Sequence, residues 1–191
     1  MNLTAGITKL YSRAEILGSS TLVPKAGGLY FWFFKETPSG VPLNGCLSFE
    51  GKTLLYAGIS PKSPPKNGKP PSKQTLRDRV RYHLTGNAEG STLRLSLGVL
   101  LSEQLGIQLR RVGSGRRMTF HDGENALNNW LDENAFVGWV LHKEPWIIES
   151  EAIQKLSLPI NLEGNKHHPF QGTLKALRKV ARDNARQLPV A

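Results

Sequence analysis

Cysteine is almost missing from this chain, since Cys46 is the only one among its 191 residues. A single thiol excludes an internal disulfide framework and a zinc site assembled from several cysteines. Long apolar runs are missing as well: the longest, residues 29–34, falls far short of the ~18 residues of a membrane helix and is typical of a buried strand. The opening residues, 1–4, lack the charged segment and apolar stretch of a secretory signal. These absences favour a cytoplasmic protein with no membrane segment.

Acidic residues are scarce: 15 Asp and Glu stand against 25 Lys and Arg, a net charge of +10 with neutral histidines. The apolar share of 39% is enough for a real core. The length favours a single domain over residues 1–191. Excess positive charge attracts phosphate polymers, which favours a nucleic-acid partner. The simpler alternative is that the charge only keeps the protein soluble, and the sequence leaves the oligomeric state open.

The apolar and turn patterns predict an α/β fold around a small, mixed, three-stranded sheet. Residues 28–34 and 53–59 form a hairpin, and 136–141 supplies the third strand. A basic, proline-rich loop at 60–73 follows the hairpin. The other predicted elements are a short helix at 12–17, helices at 74–84, 91–105, 122–134, 146–156 and 171–188, and a second hairpin of 107–112 with 116–120. The predicted inward stripe of the last helix consists of Leu174, Leu177, Ala181 and Leu188.

Two polar residues stand out on the predicted helix at 74–84. Arg79 and His83 are four positions apart, so their side chains project next to each other. His83 also falls on the inward face, with Val80 and Leu84. An arginine and a histidine beside the core can grip a phosphate and move a proton. The alternative is an ordinary basic helix with one packed histidine.

One carboxylate is misplaced on the predicted helix at 146–156. Glu149 falls on the apolar stripe of Trp146 and Ile153, where an unpaired charge costs several kcal/mol. This pattern is typical of a ligand for a hard divalent cation such as Mg²⁺. The alternative is a carboxylate at the edge of the stripe, bonded to an arginine or a backbone amide.

Two tyrosines lie on the two strands of the first predicted hairpin. Tyr30 ends the motif Gly28-Leu29-Tyr30, and Tyr56 begins the motif Tyr56-Ala57-Gly58. Buried tyrosines usually find a partner for the hydroxyl group. On its own, each of the two is interpreted as a core residue.

Taken together, these motifs carry a family resemblance. In chain order they are Gly28-Leu29-Tyr30, Tyr56-Ala57-Gly58, Arg79 with His83, and Glu149 with Asn161 twelve residues later. The chain resembles the GIY-YIG nuclease superfamily over residues 27–165. The resemblance implies the small sheet of that family, flanked by helices, with an inserted helix and β-hairpin at 91–135.

The sequence also departs from the family pattern. Leu29 and Ala57 replace two isoleucines, and the 60–73 loop is long for the family. Two other residues have plausible spacing for the last motif: Glu151 competes with Glu149, and Asn165 competes with Asn161. Glu149 is preferred to Glu151 because the helical stripe and the family interval agree, and Asn161 is the asparagine at that interval from Glu149.

The resemblance implies a magnesium-dependent endonuclease that hydrolyses DNA phosphodiester bonds, with Mn²⁺ as an alternative ion and RNA left open as a substrate. Glu149 would bind the metal. Arg79 would stabilise the transition state. The attacking water would lose its proton to Tyr30 or to His83.

Two further residues receive roles from the same resemblance. Tyr56 would orient water or phosphate, and Asn161 would hold the glutamate helix or the substrate. The expected products carry a 5′-phosphate and a 3′-hydroxyl group.

Basic residues outside these motifs are predicted to contact nucleic acid. They are Lys62, Lys66, Lys69, Lys73, Arg94, Arg116 and Arg117. A solvated loop explains the lysines equally well, and a plain hairpin turn explains the glycines beside Arg116. Two other functions stay open: a non-catalytic nucleic-acid-binding module that retains the fold, and a basic protein that binds an acidic protein partner.

Overall fold

The computed structural model describes residues 4, 6–65 and 67–191 and has an α/β architecture. The strands are β1 (Tyr11–Ser12), β2 (Gly28–Phe34), β3 (Ser48–Phe49), β4 (Lys52–Ser60), β5 (Arg110–Val112), β6 (Arg117–Thr119) and β7 (Ala135–Leu141). The helices are α1 (Arg13–Gly18), α2 (Leu76–Thr85), α3 (Thr92–Leu100), α4 (Ser102–Leu105), α5 (Gly123–Asn134), α6 (Pro145–Lys155) and α7 (Gln171–Gln187). None of these helices has both the length and the apolar character that crossing a bilayer requires.

The main sheet has five strands in the order β1-β7-β2-β4-β3. Its three central strands, β7, β2 and β4, are those predicted from the sequence. The expectation of a mixed, three-stranded sheet is wrong, because every strand pair in the described part of the chain is antiparallel and two edge strands are added. Each edge strand is only two residues long, too short to leave a periodic signal in the sequence.

The central strand β2 is buried on both faces, which explains its unbroken apolar sequence. Tyr30, Trp32 and Phe34 pack into one core together with residues of α2, α3 and α5. The alternate side chains, Leu29 and Phe31 among them, pack into a second core with residues of α6. The sheet therefore separates α2 from α6.

Local sequence signals fix the helix that follows the hairpin. Thr75 and Asp78 form a reciprocal capping box at the start of α2. Gly86 caps its end by donating its N–H to the carbonyl oxygen of Tyr82. The helix predicted at 91–105 begins at a Ser91 cap but divides into α3 and α4 at Leu101, whose backbone leaves the helical region.

The inserted segment contains the predicted second hairpin, β5–β6. Its turn places Gly113 and Gly115 at positive φ angles of 61° and 78°, which glycine adopts without strain. Helix α7 packs against α3 and β5. The C-terminal helix is thereby brought next to the insertion and close to the sheet.

Candidate active site

A cleft of about 520 Å³ opens beside strands β2 and β4 of the main sheet. The predicted site residues that line it come from separate elements: Tyr30 of β2, Tyr56 of β4, Arg79 of α2, Glu149 of α6 and Asn161 of the following loop. The structure thus brings five of the six predicted catalytic residues to one cavity. The sixth, His83, does not line the cleft and lies behind Tyr30.

Gly28 and Gly58, the glycines of the two strand motifs, lie so close to neighbouring atoms that a larger residue would not fit. Gly58 pairs with Tyr30 across the hairpin, and a Cβ atom at Gly58 would lie 2.5 Å from the Tyr30 hydroxyl oxygen. A Cβ atom at Gly28 would collide with the carbonyl oxygen of Val140 on β7. Glycine at both positions lets the strands pack closely and leaves room for the Tyr30 hydroxyl group.

A chain of hydrogen bonds leads from the cleft into the protein. The Tyr30 hydroxyl lies 2.9 Å from Nε2 of His83, and Nδ1 of His83 lies 2.7 Å from Oγ of Ser91. Nε of Arg79 donates to the same tyrosine hydroxyl over 3.5 Å, and its Nη1 donates to the carbonyl oxygen of Gly90 over 3.0 Å. Arg79 is therefore oriented by the protein before any substrate arrives.

Burial determines the protonation states of Tyr30 and His83 in this chain of hydrogen bonds. Burial, followed by the positive charges of Arg79 and Arg94, lowers the pKa of His83 well below its usual value. Burial, reinforced by Tyr56, raises the pKa of Tyr30 far above its usual value, against the opposing effect of Arg79. At neutral pH the imidazole is therefore neutral and the phenol is protonated, so His83 can accept the proton that Tyr30 donates.

The depressed pKa of His83 predicts a specific pH dependence of stability. In the unfolded chain the imidazole regains a pKa of about 6.5, so between the two pKa values the unfolded state binds more protons. This contribution to stability is fully present above that pH and is lost as the pH falls toward the folded pKa. Denaturation by urea should show that the free energy of unfolding of the wild type falls more steeply than that of His83→Gln, by up to ~1.4 kcal/mol per pH unit.

The comparison of the wild type with His83→Gln also controls for the titration of the other histidines. His168 also has a pKa lowered by burial, but it is present in both proteins and cancels. Parallel stability curves for the wild type and His83→Gln between neutral pH and about pH 5 would contradict the assignment of a neutral, buried His83.

Glu149 is half-buried in the cleft and makes no hydrogen bond or ion pair with the described residues. Burial raises the pKa of its carboxyl group, the negative charge of Glu163 adds to that rise, and Lys62 opposes it. Glu151, the competing glutamate, does not line the cleft and is bonded to Lys155 over 2.7 Å. Of the two, only Glu149 presents an unpaired carboxylate to the cavity.

The donor set of the cleft is suited to a magnesium ion. No group of three or more His, Cys, Asp or Glu side chains able to hold a metal occurs in residues 4, 6–65 and 67–191. Mg²⁺ needs no such group, because it is usually bound by one or two carboxylates and completes its shell with water and phosphate oxygens. Glu149 provides one carboxylate, and Glu163, which also lines the cleft, provides a second nearby.

The hydroxyl group of Tyr56 takes no part in the hydrogen-bond chain of Tyr30 and His83. Its hydroxyl group lies 2.9 Å from Oγ1 of Thr92, the first residue of α3. Burial raises its pKa, and the Thr92 hydrogen bond and Arg79 oppose that rise. Tyr56 therefore presents a protonated hydroxyl group whose position is fixed by the inserted helix.

Asn161 fixes the loop after α6 to the central sheet. Its Oδ1 accepts from the N–H of Ala57 over 3.0 Å, and its Nδ2 donates to the carbonyl oxygen of Ala57 over 2.8 Å. Asn165, the competing asparagine, does not line the cleft; its Nδ2 donates to the carbonyl oxygens of Leu158 and Asn161. Both polar ends of the Asn161 amide are occupied by strand β4, which favours a positioning role.

Only some of the residues predicted to contact nucleic acid lie at the cleft or beside it. Lys62 is exposed at the cleft, whereas Lys69 and Lys73 are exposed elsewhere and Lys66 lies outside the described residues. Of the two hairpin arginines, Arg116 lines a second groove beside the cleft. Arg117, the first residue of β6, lines neither cavity.

The prediction that Arg94 contacts nucleic acid is wrong. Its side chain is 0% exposed, and its guanidinium is surrounded by acceptors. Nε donates to Oε2 of Glu124 over 3.0 Å, and Nη1 donates to Oδ1 of Asn128 over 2.9 Å and to the carbonyl oxygen of His83 over 3.3 Å. Arg94 joins α3, α5 and the end of α2, so it stabilises the wall behind the cleft.

Removal of Arg94 is therefore expected to affect folding. Arg94→Ala leaves the Glu124 carboxylate without its cation, so the free energy of unfolding should fall by ~3–5 kcal/mol in urea titrations. Lys155→Ala breaks an exposed pair on α6 and should cost ~0.5 kcal/mol or less. Equal costs for the two variants would contradict the structural role of Arg94.

Four residues near the site were missed by sequence reasoning: Ser91, Thr92, Glu163 and Arg178. Ser91 and Thr92 carry only the signal of a helix cap. Glu163 lies in an irregular loop, where no periodicity singles out a residue. Arg178 is buried on α7 at 7% exposure, whereas Leu177, predicted to face inward, is 41% exposed.

A family model described as the GIY-YIG catalytic domain matches residues 28–180 of the chain. The match covers the cleft, the insertion and most of α7. No curated protein and no solved structure matches the chain.

Proposed function

This chain belongs to the GIY-YIG nuclease superfamily, and we propose that it is a metal-dependent endonuclease that hydrolyses phosphodiester bonds in DNA. One observation carries the proposal: a phenol hydrogen-bonded to a neutral histidine, a pre-oriented arginine and an unpaired carboxylate meet in one cleft. Metal-dependent phosphodiester hydrolysis uses a proton acceptor, a cation for the developing negative charge and a metal ligand. The cleft contains a candidate for each.

Glu149 is the proposed ligand of Mg²⁺ or Mn²⁺, with Glu163 as the nearest second carboxylate. When bound there, the ion supplies Lewis-acid chemistry to a phosphate oxygen. Burial and the negative charge of Glu163 raise the pKa of Glu149, and the nearby ammonium group of Lys62 opposes that rise, which favours the ionised carboxylate that a metal requires.

Arg79 is the proposed clamp on the scissile phosphate. Its guanidinium is fixed by Gly90 and Tyr30, so little reorganisation is needed when negative charge develops on the phosphate oxygens. A guanidinium also matches two phosphate oxygens at once, which a lysine ammonium group does not.

The proton of the attacking water is proposed to pass through Tyr30 to His83. As the water oxygen bonds to phosphorus, its proton moves to the Tyr30 oxygen while the Tyr30 hydroxyl proton moves to Nε2 of His83. This step uses the tautomer of His83 in which Nδ1–H donates to Oγ of Ser91, 2.7 Å away, and Nε2 is free to accept. The bond from phosphorus to the 3′-oxygen breaks, and that oxygen takes a proton from solvent, which leaves a 5′-phosphate and a 3′-hydroxyl group.

A comparison of substrates and ions tests the proposal. The protein is incubated with supercoiled plasmid, linear duplex and single-stranded RNA, each with Mg²⁺, Mn²⁺ or EDTA. We expect nicking of DNA with either ion and none with EDTA. Retention of DNA without cleavage under every condition would favour the non-catalytic binding module.

A further inference from the structure

A second groove, of about 260 Å³, lies next to the cleft. Four arginines line it: Arg116 of the hairpin turn and Arg178, Arg182 and Arg186 of α7. Thr92 and Arg178 line both cavities, so the groove is continuous with the wall that holds Tyr56. Because these four arginines line it, this second groove is called the arginine groove below.

The carboxylates around the arginine groove do not neutralise it. Glu89 is the acidic residue in its lining, and its Oε2 already accepts the N–H of Met118 over 2.8 Å. Asp183 pairs with Arg186 at 2.6 Å on the exposed side of α7 and also binds Lys179. Arg182 makes no ion pair with any residue that the structure describes. The groove therefore retains a strong excess of positive charge.

Arg178 is the most unusual of the four. Arg178 is only 7% exposed, yet it forms no ion pair with a carboxylate among residues 4, 6–65 and 67–191. Nη1 donates to Oγ of Ser96 over 3.2 Å, whereas Nε is buried without a partner. Burial and the charge of Arg182 lower its pKa to about 10, which still leaves it charged at neutral pH. A buried cation without a carboxylate partner costs stability, and an anionic ligand bound beside it would offset that cost.

The spacing of the arginines matches an extended polyanion. Arg178, Arg182 and Arg186 are separated by four residues each, so they follow one side of α7 over ~12 Å. One strand of duplex DNA carries a phosphate about every 3.4 Å along the axis, so this distance corresponds to three or four phosphates. None of the described residues that line the groove is aromatic, which disfavours base stacking.

We propose that the arginine groove binds backbone phosphates of the nucleic-acid substrate beside the scissile phosphate, with Arg178 as the contact nearest the cleft. The inference rests on the proposed function, since it assigns the substrate path that leaves the same cleft. Guanidinium contacts to phosphate carry no base information, so this binding is independent of sequence. Helix α7 thereby becomes part of the substrate-binding surface.

Fluorescence anisotropy with a labelled DNA duplex in EDTA tests the inference without any cleavage. The variants are Arg178→Met, Arg182→Ala and the two combined. The control is Lys35→Ala with Lys52→Ala, which removes the same charge at the opposite end of the hairpin, where Phe34 pairs with Thr53.

Each lost phosphate contact should weaken duplex binding roughly eightfold at about 0.1 M salt and lower the slope of log K against log salt by ~0.9. The double arginine variant should therefore lose roughly 60-fold in affinity and ~1.8 in slope, with the same change on unrelated duplex sequences. The lysine control should stay close to the wild type in both quantities.

A stability measurement separates substrate binding from a merely structural role. Because Arg178 is a buried cation without a carboxylate partner, the urea midpoint of Arg178→Met should equal or exceed that of the wild type. A lower midpoint with unchanged DNA binding would assign Arg178 to the core and overturn the inference.

The outcomes distinguish this inference from the proposed function. If the wild type cleaves DNA and the double arginine variant binds like the lysine control, the arginine groove is not a substrate site and the nuclease proposal stands. If the wild type never cleaves but its DNA affinity depends on Arg178 and Arg182, the nuclease proposal fails and the groove stands. Failure of the wild type to bind duplex at all would overturn the inference and favour an acidic protein partner.

Discussion

Glu149→Gln is expected to reduce the rate of DNA cleavage by about 10³-fold or more in the presence of Mg²⁺. A catalytic metal contributes several kcal/mol to the transition state, and each ~1.4 kcal/mol corresponds to a factor of ten. Glutamine has nearly the same shape but lacks the negative charge that holds a divalent cation. Single-turnover cleavage of a labelled duplex, with protein in excess, measures this loss without the influence of product release.

The matched control lies on the same helix, two residues away. Glu151→Gln removes an equal charge from an exposed pair with Lys155 and should leave the cleavage rate within about twofold of the wild type. The Glu149→Gln protein should also unfold at a urea concentration no lower than the wild type, because its carboxylate is half-buried without a partner. A larger loss of activity in Glu151→Gln would reverse the assignment of the two glutamates.

Arg79→Ala is expected to lower the same single-turnover rate by about 10²–10³-fold, the usual cost of removing one pre-oriented donor to a developing negative charge. Arg79→Lys should recover only part of this loss, because an ammonium group cannot contact two phosphate oxygens from the same position. Both variants should keep their affinity for duplex DNA within about tenfold, since the other basic residues remain in place.

Arg77→Ala provides the control for charge and for helix stability. Arg77 lies on α2 with Arg79, but its Nε donates to the carbonyl oxygen of Val23, away from the cleft. Its removal should lower the free energy of unfolding by ~1–2 kcal/mol and leave the cleavage rate nearly unchanged. Equal rates for Arg77→Ala and Arg79→Ala would show that α2 contributes only general positive charge.

Much of the fold follows from local sequence. The unbroken apolar run of β2 requires burial on both faces, and the cores on its two sides provide it. The capping box of Thr75 and Asp78 fixes the start of α2, and that start sets the directions of Arg79 and His83. The stripe argument singles out Glu149, and the structure places it in the cleft.

Contacts between distant residues account for what the sequence did not reveal. Arg94 and Glu124 are 30 positions apart, so the pairing that buries Arg94 leaves no local pattern. Arg178 and Ser96 are 82 positions apart, and the apolar stripe of the last helix pointed to Leu177 instead. A buried charge contradicts hydrophobic periodicity, so the apolar stripes gave no sign that Arg94 and Arg178 are buried.

The central claim is that this cleft hydrolyses a phosphodiester bond with the help of a divalent ion. It is tested most directly by incubating the wild-type protein with a duplex labelled at each end, with Mg²⁺ or EDTA, and by determining the end groups of the products. We predict cleavage with Mg²⁺ alone, a 5′-phosphate that DNA ligase accepts and an unmodified 3′-hydroxyl group. Cleavage that persists in EDTA, 3′-phosphate ends, or an intact duplex that the protein nevertheless binds in Mg²⁺ and in Mn²⁺ would contradict the account.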